Sequence, residues 1–337
     1  MQKPGLPPNP TLETMHVPLK SLDGNLLDTD TDLEISIWRS ASGTPAGAPL
    51  LICLAAYLNS GPGLTGWRAF GETIPERLQR LVDEGKMAPA TVVFVDSYNR
   101  LGGTQFVNSP IIGNWVDALA DDLVPFVEGK YNCGGPGKRG LFGHSSGGFG
   151  AIHNLAKRPD VWSAAASHAG DCGFDWVYRN ELPKALRVLS EFDFDTKAFL
   201  DAFWDQEKPK GEQISALMML AMAASYDPGN PGESYLGIRL PVTHDTCELI
   251  DERWAKWLDF DLLSFGETEI STLKAAKAIY FDCGLSDEYN ILFGSRRLRK
   301  MLVQANIPHE YQEFKGGHGT IGPRYEVSLP YLVSKMT

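Results

Sequence analysis

Apolar positions along the chain fall into two rhythms. Short runs in which most residues are apolar recur at 33–38, 50–57, 91–96, 139–143, 161–168 and 277–282, and runs without polar alternation are the mark of strands buried on both faces. Between them the spacing lengthens. Trp115, Leu119, Leu123 and Phe126 fall three or four residues apart, and Ile291, Leu298, Met301 and Leu302 keep to one side of a similar period, which predicts helices with one buried face. A last strand is expected at 309–314. Strands alternating with helices predict an α/β fold, a mainly parallel sheet flanked by helices.

One connection is out of scale. A crossover between parallel strands takes about a dozen residues or somewhat more, whereas His168 and Lys277 stand about ten times further apart. Residues 172–270 are therefore expected to be an insertion between 1–171 and 271–337, which together make the α/β core. The insertion holds Trp176, Trp204, Trp254 and Trp257 and the Met-rich stretch 214–224. Two arrangements fit it: an inserted helical lid with Met218, Met219 and Met222 lining a substrate pocket, or a small helical subdomain burying the same residues in its own core.

Composition narrows the function. Hydrophobic residues make up 43% of the chain and charged residues 22%, the make-up of a globular protein and not of a disordered one. The 31 Lys and Arg against 42 Asp and Glu leave a net charge of -11, a field that repels nucleic acid and anionic membrane. The longest apolar runs, 50–58 and 214–224, fall short of the roughly 20 residues that span a bilayer. Residues 1–10 are Pro-rich with no apolar centre, so no secretory signal is read there and a cytoplasmic location is expected. The five cysteines, Cys53, Cys133, Cys172, Cys247 and Cys283, are odd in number and lack C-x-x-C spacing, which points to reduced thiols.

The candidate chemistry begins at Gly143-His144-Ser145-Ser146-Gly147, a G-x-S-x-G pattern. It lies between a predicted strand, 138–142, and a predicted helix, 147–158, stopped by Pro159, which is the setting of a nucleophile elbow. Glycines flank the serine because strand and helix backbones approach closely there. A base is expected further along the chain, and His318, in Gly316-Gly317-His318-Gly319 after the last predicted strand, has the flexible loop that would carry imidazole to the serine. The acid should lie between them. Asp171, Asp282, Asp287 and Glu288 compete; Asp287 is favoured for its place in the loop that opens the next helix, although an N-cap role would suit it equally. An oxyanion hole takes two N–H donors, and Ser146 and Tyr57, the latter in the loop 55–61 that follows an early strand, are the candidates. Arg100 and Gln105 either touch substrate or tie down their glycine-rich loop.

Other signals carry less. Gly135-x-Gly137-x-x-Gly140 precedes a strand instead of following one, so it is not a dinucleotide fingerprint. His244-Asp245-Thr246-Cys247 is too compact for a four-coordinate metal site. Neither a metal nor an organic cofactor is called for.

With elbow, acid loop and histidine loop in hand, the chain resembles the Putative esterase family of α/β-hydrolases, which includes esterase D, feruloyl and enterochelin esterases and the mycolyltransferases. The resemblance runs from about Leu33 onward and is carried by GHSSGGFGA, NRLGGTQFVNS, FDCGLSDEYN and GGHG. It implies an α/β-hydrolase fold, a small-molecule ester substrate, Ser145 as nucleophile, Asp287 as acid, His318 as base, and Tyr57 and Ser146 as oxyanion donors. It equally implies that the same triad can pass an acyl group to an alcohol. The chain departs from the family at Ala56, where glycine is common, and in the insertion 172–270, which the minimal esterase D plan lacks.

Overall fold

The computed structural model describes residues 12–337; the Pro-rich stretch 1–10 lies outside the described residues. One sheet holds eight strands: β1 (Leu12–Pro18), β2 (Asp32–Arg39), β3 (Leu50–Leu54), β4 (Thr91–Val95), β5 (Arg139–His144), β6 (Ala164–His168), β7 (Ala278–Gly284) and β8 (Glu310–Phe314). They lie in the order β1-β2-β4-β3-β5-β6-β7-β8. From β4 to β8 all neighbours run parallel, while β2 is antiparallel to β1 and β4. The expected mainly parallel sheet is present, with β1 added. That strand escapes the apolar-run pattern because it is an edge strand whose side chains mostly face solvent.

The inner strands β3, β4, β6 and β7 are buried on both faces, and the side-chain period of two divides them between two cores. Leu50, Ile52 and Leu54 join Val93, Leu141 and Phe281 on one face, while Leu51 and Cys53 join Phe94, Phe142 and Tyr280 on the other. The helices that bear on the site are α1 (Ile74–Asp83), α2 (Ser146–Lys157), α3 (Gly211–Tyr226), α4 (Ile291–Gln304) and α5 (Tyr325–Met336). α1 and α5 cover the second face; α2 and the insertion cover the first. The helix predicted at 115–126 is broken into α-helical Trp115–Asp117, a π-turn at Ala118–Leu123 and α-helical Val124–Tyr131. Pro125, with no N–H to give, sits at that break.

Residues 172–270 fold into helices of up to 16 residues, α3 among them, and do not make a separate core. Their apolar side chains are continuous with the first-face core. An aromatic stack runs out of α2 into the insertion: Phe149 meets Phe174 at 5.9 Å between ring centroids, Phe174 meets Tyr178 at 4.6 Å, and Tyr178 meets Trp257 at 5.8 Å. Such contacts add specific geometry to large apolar burial. The last inserted helix, Glu267–Ala275, is the crossover helix leading to β7 and is tied to α2 by Lys157 Nζ and Glu269 Oε1 at 2.7 Å. Among the described residues no helix is long and apolar enough to cross a membrane.

At the carboxyl ends of β6 and β7 the second face closes over a buried polar cluster. His168 and Asp282 are register partners, with His168 Nδ1 at 2.8 Å from Asp282 Oδ1 and His168 Nε2 at 2.9 Å from Ser328 Oγ on α5. Tyr280 Oη and Arg324 Nε each donate to Asp282 Oδ2 at 2.8 Å. Burial pushes the Asp282 carboxyl up, but His168, Arg324 and Tyr280 outweigh it and hold the group below its ordinary range. Removing one partner of a buried charged cluster strands the others, so Asp282→Asn is expected to lower unfolding free energy by about 3 kcal/mol at neutral pH. A carboxyl depressed by folding stabilises above its unfolded pKa and loses that contribution as pH falls; the gap between wild type and variant should therefore close below about pH 4. Denaturant titrations at the two pH values check this, and equal midpoints at neutral pH would contradict it.

Candidate active site

Between the last residue of β5, His144, and the first of α2, Ser146, the chain turns through a single residue. Ser145 holds φ 56° and ψ -122°, a sparsely populated conformation for a residue with a Cβ. Its N–H donates to the His168 carbonyl and its own carbonyl accepts from Phe149 N–H, both at 2.9 Å. Gly147 permits the turn, since a Cβ there would overlap the Leu54 carbonyl of β3. The elbow thus lifts Ser145 Oγ to the rim of the sheet and fixes it from both sides.

His318 follows β8 and Asp287 follows β7. His318 Nδ1 lies 2.8 Å from Asp287 Oδ2, so the ring nitrogen carrying hydrogen faces the carboxylate and Nε2 is left as the basic atom. Asp287 Oδ1 accepts from the backbone N–H of Tyr289 at 3.0 Å and of Ile291 at 3.2 Å. Burial pushes this carboxyl up; the His318 contact and the two N–H donors outweigh it, and it is held below the ordinary range. Glu288 has a different part: its Oε2 accepts from the backbone N–H of His318 at 2.7 Å. Asp287 is thereby the carboxylate joined to the imidazole, while Asp282 is committed to His168 and Arg324 on the far face.

His144 supports the same loop. Its Nε2 lies 2.9 Å from the His318 carbonyl, and as a carbonyl only accepts, that nitrogen donates. Burial, followed by the nearby His318, pushes the His144 pKa down to about 3 and keeps the ring neutral. The sequence carries a signal for this, the residue preceding Ser145 being a histidine.

Ser145 and His318 line one cavity of about 340 Å³, together with Tyr57, Ser146, Asp171, Tyr178 and Tyr289. Ser145 Oγ makes no direct hydrogen bond to His318; it lies 3.4 Å from Asp171 Oδ1. Unliganded sites commonly hold such pairs loosely. The backbone N–H groups of Tyr57 and Ser146 have no acceptor among the described residues, whereas Leu58 N–H is taken by the Gly102 carbonyl at 2.9 Å. As the first residue of α2, Ser146 has an N–H without an intrahelical partner.

The other candidates separate. Met218, with Ile214 and Ser215 of α3, lines the cavity, so the insertion roofs it. Met219 and Met222 do not line it and are fully buried in the core: Met219 stands about a quarter turn off the cavity-facing stripe 211, 214, 215 and 218, and Met222, one turn further along the same face, is covered by the core instead. Arg100 is also off the cavity: its guanidinium pairs with Asp201 at 3.0 Å and its carbonyl accepts from Trp204 Nε1 at 3.0 Å, tying its loop to the insertion. Gln105 is wholly buried behind the elbow. Its Nε2 donates to Ser146 Oγ at 2.6 Å and its Oε1 accepts from Tyr226 Oη at 3.1 Å, which engages the hydroxyl of the second serine of the motif. Asp171 is the unexpected neighbour. Its Oδ2 accepts from Tyr178 Oη at 2.8 Å, and burial, only partly opposed by Tyr178 and His318, raises its pKa to about 6.

Comparison with known proteins agrees with this architecture. Esterase Rv1288 of Mycobacterium tuberculosis (strain ATCC 25618 / H37Rv) is 24% identical over 225 residues, covering 66% of this chain and 40% of its own; the chain thus spans about two fifths of that relative. Among solved structures, a ferulic acid esterase superposes with TM-score 0.61 at 14% identity, covering 96% of this chain and 98% of its own. An S-formylglutathione hydrolase from Agrobacterium tumefaciens does so with TM-score 0.57 at 11% identity, covering 97% and 95%. At such identities the likeness shows the fold, which is that of the α/β-hydrolases. The family model described as Putative esterase matches residues 47–329, most of the chain, and the protein belongs to that family.

Proposed function

We propose that the protein is a serine carboxylic ester hydrolase in which Ser145, His318 and Asp287 act as the triad. The observation that carries this is the convergence in one cavity of a strained elbow serine and an imidazole whose other nitrogen is held at 2.8 Å by a buried carboxylate. Membership of the esterase family supports it independently. In the reaction, Ser145 Oγ attacks the ester carbonyl as His318 Nε2 takes its proton, and Asp287 stabilises the imidazolium. The carbonyl oxygen, now negative, is met by the free N–H groups of Tyr57 and Ser146, which are fixed before the reaction and lose nothing to reorganisation. His318 returns its proton to the departing alcohol. Water then repeats the sequence on the acyl-enzyme. The 3.4 Å contact from Ser145 to Asp171 belongs to the resting site and is exchanged for His318 when substrate enters.

Ser145→Ala is expected to fold and to lose hydrolysis by on the order of a million-fold in kcat, measured on any ester the wild type turns over. Asp287→Asn should lower kcat by about ten-thousand-fold. Glu288→Gln leaves the Nδ1 contact intact and should lose no more than about tenfold. A larger effect from Glu288→Gln than from Asp287→Asn in the same assay would reassign the acid.

The roof of the cavity makes a separate demand. Met219→Ala and Met222→Ala remove fully buried side chains and should each lower stability by about 2–5 kcal/mol. Met218→Ala, which borders the cavity, should move the thermal midpoint less and change the relative kcat/KM for short and long acyl chains. Equal destabilisation by all three, with substrate ranking unchanged, would contradict a substrate-facing roof.

A further inference from the structure

Three buried carboxylates in and near the cavity differ in how fully the protein answers them. An ionised carboxylate has about four acceptor positions. Asp287 receives His318 and two backbone N–H groups. Asp261, near the end of the insertion, receives three, from Gly173, Phe174 and Leu263. Asp171 receives one firm donor, Tyr178 Oη at 2.8 Å on Oδ2, and on Oδ1 only the long contact from Ser145 at 3.4 Å. That second contact does not survive ester hydrolysis, because Ser145 gives its proton to His318. Oδ1 is then left bare beside the reacting serine.

The surroundings make the bare oxygen consequential. Asp171 is 5% exposed, and the nearby cavity wall is largely apolar, with Ala56, Val177, Ile214 and Met218. A buried acceptor without a donor is unfavourable, so a ligand that brings a donor to Oδ1 is favoured over an isosteric ligand that does not. Among the described residues no lysine or arginine lines the cavity, and a carboxylate-bearing ligand would face Asp171 with like charge. An ammonium would have to shed its water for a single partner among apolar walls; a hydroxyl gives up far less.

We propose, resting on the ester-hydrolase assignment, that Asp171 Oδ1 recognises a hydroxyl group carried by the substrate close to the scissile ester, making Asp171 a specificity-determining residue for hydroxy-substituted esters. The hydroxyl takes the place that Ser145 gives up. It can sit on the acyl chain or on the alcohol, since both lie within reach of the reacting serine.

Three neutral esters separate these cases: ethyl propionate, ethyl lactate with its hydroxyl on the acyl side, and ethylene glycol monopropionate with its hydroxyl on the alcohol side. The measurement is kcat/KM for each by pH-stat, for wild type and Asp171→Asn, with fluorophosphonate labelling of Ser145 run in parallel. The preference for one hydroxylated ester over ethyl propionate should be at least about tenfold greater in wild type than in the variant, the usual size of a charged hydrogen bond lost. Comparing enzymes, not esters, cancels the intrinsic reactivity of lactate. If wild type is labelled and hydrolyses ethyl propionate, but Asp171→Asn leaves both hydroxyl preferences unchanged, this proposal fails while the hydrolase assignment stands. If wild type neither labels nor hydrolyses any of the three, both fail. The variant should melt at or above the wild-type midpoint at pH 8, because it removes a buried charge; a midpoint well below would assign Asp171 to the fold and overturn the proposal.

Discussion

Everything at this site depends on how closely two backbones approach at the elbow. β5 and α2 can meet at that distance only because Gly143 presents no Cβ to the Gly147 backbone, as Gly147 in turn presents none to the Leu54 carbonyl of β3, and the turn between them forces Ser145 into a conformation that strands and helices avoid. Strain of this kind persists only where the surroundings over-determine it. Here they do: β6 accepts the Ser145 N–H through His168, α2 accepts nothing from Ser146 and so leaves its N–H for the cavity, and β3 supplies the carbonyl wall.

Two imidazole–carboxylate pairs sit at the same edge of the sheet, and their contrast explains how one histidine comes to be available for chemistry. His168 and Asp282 are both fully enclosed, and each remaining valence is answered, by Ser328 on one side and by Arg324 and Tyr280 on the other. His318 and Asp287 lie on loops. The carboxylate is buried and donated to by backbone, yet the ring keeps Nε2 open to a cavity. The first pair ties β6 and β7 to α5; the second faces the cavity. His144 and Glu288 then pin the His318 loop through its backbone, adding to the Asp287 contact on Nδ1 without taking Nε2.

The strands and the elbow were legible in the sequence because their cause is local. Continuous apolar runs report burial on both faces, and G-x-S-x-G reports a steric requirement within five residues. β1 was not legible, since an edge strand buries too little to write a pattern. Composition groups Met219 and Met222 with Met218, since it marks the helix but neither its rotation nor how far along it the cavity reaches; only the packing of α3 tells that. Asp171 and the Gln105–Tyr226 arrangement were hidden for a different reason. Gln105 is held by contacts across 41 and 121 positions of sequence and Asp171 by one across 26, and nothing local distinguishes a polar residue satisfied by such partners from one free to meet a ligand. Asp171 stands among the candidate acids on chain order alone, but the groups that meet it are the hydroxyls of Tyr178 and, at 3.4 Å, Ser145, and not an imidazole.

The central claim is that Ser145, and not its neighbour Ser146, becomes acylated in the cavity. It is tested most directly by mixing excess enzyme with an activated nitrophenyl ester, quenching in acid within the first turnover, and fragmenting the peptide that spans both serines by mass spectrometry. The acyl mass should reside on Ser145, and none should accumulate in Ser145→Ala. An acyl group on Ser146, or a nitrophenol burst with neither serine modified, would contradict the mechanism.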